Sequence, residues 1–132
     1  MGKRTLVDAD IDAGRELLSA LDSSKFEVDA ALWLYSSDSE QWRMILASPV
    51  AHKAPRVAYQ QIQAVLSGLP ASRLALDDIS VVSPQDDLIR LLMSAVVSDD
   101  GEMRLSRSTV NGVFIDDAYI YRVRRGRSLS RR

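Results

Sequence analysis

Two residues, Asn111 and Gly112, constrain this chain more than any others. Both accept the positive φ of a type I′ turn, and both sit between runs of β-favouring side chains, which predicts a two-residue β-hairpin. The loop length sets the register: Val110 opposite Val113, Arg107 opposite Asp116, Leu105 opposite Ala118 and Met103 opposite Ile120. Strict alternation then collects Met103, Leu105, Phe114, Ala118 and Ile120 on one face. Val113, Ile115, Tyr119, Tyr121 and Val123 fall on the other, which is also apolar. A hairpin with two apolar faces is covered on both sides or meets a partner on one, so this second set is the expected interface. A bulge at Asp116-Asp117 would redistribute the two sets.

The rest of the chain supplies what such a hairpin packs against. Ile11, Gly14, Leu17, Leu18 and Leu21 recur at helical spacing and predict a first helix over residues 8–22, with Asp8, Asp10 and Asp12 at its positive end. A strand over 28–35 is apolar on both faces, and a polar loop over 36–41 turns it back into a second strand from Trp42 to about Ser48. Residues 48–55 read as irregular, and Pro55 starts a second helix that runs to about Ser67. Residues 71–78 fit either a helical turn or a short strand. Ile79, Val81 and Val82 form a strand, and Ser83-Pro84 opens a third helix through Val96. The order α-β-β-α-β-α-β-β predicts an α+β domain, with a mixed α/β arrangement as the alternative. Its sheet is mostly antiparallel or mixed, flanked by three helices. At 132 residues the chain is the size of one domain, read as residues 1–125, followed by a flexible arginine-rich tail over 126–132.

Several function classes drop out. Without cysteine there is no disulfide framework, thiolate zinc site or cysteine nucleophile. No apolar run approaches the ~18–20 residues that span a bilayer. The first eight residues lack the apolar core and cleavage site of a secretion signal, so a cytoplasmic location without membrane association is expected. The six glycines form no phosphate-cradling frame, so no nucleotide cofactor is expected. His52, the one histidine, cannot build a multi-histidine metal site; it could serve Ser48 as a base, but Ala51 and Lys53 offer it no orienting acid. Four aspartate pairs (Asp77-Asp78, Asp86-Asp87, Asp99-Asp100 and Asp116-Asp117) would bind Mg²⁺ or Mn²⁺ only if the fold brought several together. Each also suits a cap, turn or bulge, so no metal and no catalytic residue is assigned. Trp33, Tyr35 and Trp42 suit cross-strand packing better than a base-stacking platform.

The charge is uneven. Arg122, Arg124, Arg125, Arg127, Arg131 and Arg132 lie beyond the last acidic residue, Asp117, and leave 11 basic against 18 acidic residues, a net −7, over residues 1–121. These observations favour a non-catalytic interaction module that self-associates as a homodimer or meets an unidentified protein partner. Weak nucleic-acid association through the six arginines is the alternative. A metal-dependent hydrolase or nuclease built on Asp116, Asp117 and His52 comes third.

Overall fold

The computed structural model describes residues 5–69, 73–95 and 101–124. The first helix, α1 (Asp8–Ser23), buries Ala13, Gly14, Leu17, Leu18 and Leu21 along one stripe, the stripe its apolar spacing demands. Two strands follow, β1 (Ala30–Ser36) and β2 (Gln41–Ala47), paired antiparallel with Tyr35 opposite Trp42 and Trp33 opposite Met44. The stretch expected to be irregular contains a short helix, α2 (Pro49–Lys53). Its start has a local cause: the Ser48 hydroxyl accepts the Val50 N–H at 3.2 Å, and Pro49 has no N–H to leave unsatisfied. Next come α3 (Pro55–Ser67), a 3₁₀ turn at Leu76–Asp78 and β3 (Ile79–Val82). The last helix, α4 (Asp87–Ala95), precedes the hairpin of β4 (Met103–Val110) and β5 (Val113–Val123). It starts later than Ser83-Pro84 suggests. Ser83 holds a turn by accepting from the Gln85 N–H, and the Asp86 carboxylate accepts from Leu88 N–H at the helix start.

The five strands form one sheet in the order β3-β2-β1-β5-β4. β2 and β3 are parallel, joined through α2 and α3, and every other pair is antiparallel. The α+β reading and the mixed sheet therefore stand, with four α-helices among the described residues instead of three. α1, α2 and α3 pack on one face against Ala31, Trp33, Met44, Leu46 and Tyr121. Among the described residues, α4 is the helix on the other face, over Ala30, Leu32, Ala118 and Ile120. At β3 the sheet edge is closed: the Val81 N–H donates to the Tyr59 hydroxyl at 3.0 Å, and Arg43 donates to the Asp77 and Ile79 carbonyls.

The hairpin keeps its expected register at Val110–Val113, Leu105–Ala118 and Met103–Ile120. Its faces depart from strict alternation twice. Arg107 takes a φ of 47° and does not pair with Asp116, so one residue on each strand drops out of the ladder. Parity flips there, and Ile115 joins the face of Ala118 and Ile120. A second irregularity lies between Ala31 and Leu32, which face Arg122 and Ile120 and leave Tyr121 as the extra residue. Val123 thereby returns to the face of Ile120. The expected interface set is thus divided. Ile115 and Val123 are buried on the α4 side, Tyr121 is buried on the α1 side with Tyr119 half-buried beside it, and Val113 is exposed. Phe114, expected among the covered residues, stands in solvent.

Candidate interaction surface

Side chains on the α1 face of the sheet run from a closed centre to an open rim. At the centre, the Trp33 indole N–H donates to the Tyr121 hydroxyl at 2.9 Å, which itself donates to the Ile11 carbonyl of α1 at 2.7 Å. Gly14 makes this contact possible, because a Cβ there would run into that hydroxyl. Burial pushes the Tyr121 phenol far above its ordinary range, so it stays a donor.

One strand outward, the Arg15 guanidinium grips both oxygens of Glu102, at 2.9 and 2.7 Å, and reaches Asp12 at 2.7 Å. Tyr119 donates to the same Glu102 at 2.5 Å. Arg15 holds the Glu102 carboxyl below the usual carboxylate range, and Glu102 raises both Arg15 and Tyr119. This cluster ties α1 to the start of β4. Beside it, Arg15 and Asp12 also line an open cleft of about 500 Å³ with Glu16, Ser19, Ala20 and Leu69.

Farther out the helices end. Arg104 on β4 forks onto Asp117 on β5 with contacts of 2.9 and 2.8 Å, while its guanidinium carbon lies 5.6 Å from the centre of the Trp42 ring. Ser106 donates to the same carboxylate at 3.1 Å. Tyr35 packs against Trp42 with ring centres 5.5 Å apart. Arg104 lowers the Asp117 pKa and is itself raised by Asp117. Backbone alternation puts Phe114, opposite Thr109, on this same face, since Ile115 points to the α4 side. Phe114 is 57% exposed and neighbouring Val113 47%. A large aromatic left in water on a sheet face is the informative exception to burial. Asn111 steadies the turn between the strands by donating to the Ser94 hydroxyl at the end of α4.

The other candidate residues divide clearly. Arg122 is not a free cation: its side chain is 11% exposed and donates to both oxygens of Asp22, at 3.0 and 2.6 Å, and to the Val28 carbonyl. A guanidinium engaged this way is not free for a phosphate. Arg124 is half-buried, its N–H bonded to the Asp29 carbonyl, and Arg125, Arg127, Arg131 and Arg132 lie outside the described residues. His52 Nδ1 sits 2.9 Å from the Ser83 hydroxyl, not beside Ser48, whose oxygen caps α2. Asp78 accepts from the Ala75 N–H, Asp86 caps α4, and Asp99 and Asp100 are outside the described residues. Among the described residues, no group of three or more His, Asp or Glu could hold a metal ion, and no helix is long and apolar enough to cross a membrane.

Sequence reading missed Arg104 and the exposure of Phe114. Arg104 was one of several charges on a strand, and its aspartate lies 13 residues away across the turn. No family model matches the chain, and neither a curated protein nor a solved structure matches it.

Proposed function

We propose that this chain is a non-catalytic interaction module that self-associates through the hairpin end of its sheet. The observation that carries the reading is exposed Phe114, which shares the α1 side of the sheet with half-buried Tyr35 and with Arg104, side-chain types common in interface cores. The ionisable groups point the same way. A general acid or base works best with a pKa near the working pH. Here the shifts of Glu102, Asp117 and Asp22 run downward and those of Arg15, Arg104, Tyr119 and Tyr121 upward, each away from neutrality. A net charge of −1 leaves little long-range repulsion between copies.

Sedimentation velocity from micromolar to millimolar concentration tests this. The weight-average mass rises above that of the monomer, and Phe114→Ser returns it toward the monomer value. A constant monomer mass across the whole range refutes self-association.

A further inference from the structure

Toward the hairpin turn, the α1 side of the sheet pairs opposite charges side by side, and that pairing specifies what can cover it. Arg104 and Asp117 occupy adjacent strands, with side chains 48% and 25% exposed. Arg104 spends Nε and Nη2 on its own aspartate, which leaves the Nη1 donors directed to no partner among the described residues. Half-buried Tyr35 and exposed Phe114 flank the pair. A partner carrying a single sign of charge would be repelled by one half of this patch. A surface holding both signs in register is its own complement.

Building on the self-association reading, we infer that the occupant is a second copy of this chain, docked face to face about a two-fold axis, with each Arg104 meeting the partner's Asp117. In an isologous contact the same patch serves both copies, so a residue's partner is met twice. Arg104 then bridges two carboxylates, its own and its neighbour's, as the guanidinium fork allows. The aromatic side chains on either side of the ion pairs are shielded from water by the same contact, and Phe114 gains the cover its own fold does not give it.

Two charge reversals test the arrangement. Arg104→Asp makes the patch wholly acidic and Asp117→Arg makes it wholly basic, so each variant alone sets like charges across the axis. Each is expected to lose at least about tenfold in self-affinity. Mixed in equal amounts, the acidic and basic patches are complementary, and a heterodimer re-forms at concentrations where neither variant associates alone. Arg104→Asp gives up a partly exposed ion pair and a contact over Trp42, and Asp117→Arg gives up the same pair and the Ser106 hydrogen bond; circular dichroism melts verify that both stay folded. Sedimentation velocity on the wild type, each variant and the mixture gives distinct answers. Wild-type association with a mixture that stays monomeric, or single variants that associate as the wild type does, overturns this arrangement while leaving self-association intact. A wild type that is monomeric throughout overturns both.

Discussion

Replacing Gly14 by alanine sets two effects of known sign against each other. In a helix interior, alanine is favoured over glycine by about 1 kcal/mol, so at an open position the change would stabilise the protein. Gly14 is not at an open position. A Cβ there collides with the Tyr121 hydroxyl and lies 2.9 Å from Tyr121 Cζ and 3.1 Å from Trp33 Nε1. The ring cannot yield freely, because its hydroxyl is held by Trp33 on one side and by the Ile11 carbonyl on the other. Overpacking at such a contact costs about 1–3 kcal/mol, and a buried indole N–H deprived of its acceptor adds about 1–3 kcal/mol. After subtracting the propensity gain, Gly14→Ala should lose about 1–5 kcal/mol. Urea denaturation followed by tryptophan fluorescence measures this directly. Adding Tyr121→Phe removes the colliding oxygen, so the double variant should be less unstable than the two single losses combined. An alanine variant as stable as the wild type, or more so, refutes the account of how α1 docks on the sheet.

Acid should weaken the fold in a defined window. Asp22, Glu102 and Asp117 have pKa values lowered by their arginines, so their stabilisation is complete above the unfolded value near 4 and is lost as pH falls through the folded values. Urea midpoints between pH 7 and 2 should show that decline, shallower in Asp22→Asn. Tyr121 has the opposite sign: its raised pKa gives stability that is full below the unfolded value near 10 and lost as pH climbs toward the folded one. An alkaline decline above about pH 10 that is reduced in Tyr121→Phe checks it. Tyr59→Phe removes the acceptor from the Val81 N–H, with an expected loss of about 1 kcal/mol and faster hydrogen exchange at that amide.

Local signals carried most of the fold. Periodicity found α1 and α3, the Asn111-Gly112 pair fixed the hairpin register, and Ile79–Val82 declared itself through β-branched residues. What failed was parity. Alternation assumes that every residue keeps its place in the ladder, and Arg107 and Tyr121 do not; either irregularity moves the residues beyond it to the opposite face. No composition rule marks Arg107 for a positive φ, since Asn, Asp and Gly are the residues that normally take one. Ser48-Pro49 did carry a helix-start signature, but five residues are too few for periodicity to reveal. Arg122 failed for another reason. Its charge is plain in the sequence, whereas its partner Asp22 lies 100 residues away and meets it only because β5 runs back beside β1. Charge counts report supply, and only the fold reports demand.

The closed border at β3 sets a limit on growth. A sheet with two bare margins can recruit copies without end, as fibrils do. Here Tyr59 and Arg43 occupy part of the margin at β3, which leaves β4, among the described residues, as the strand more open to another chain. Two copies joined at β4 would turn only β3 outward. Any growth of the sheet by strand pairing would thus meet resistance at β3, and a single tyrosine hydroxyl is part of that limit.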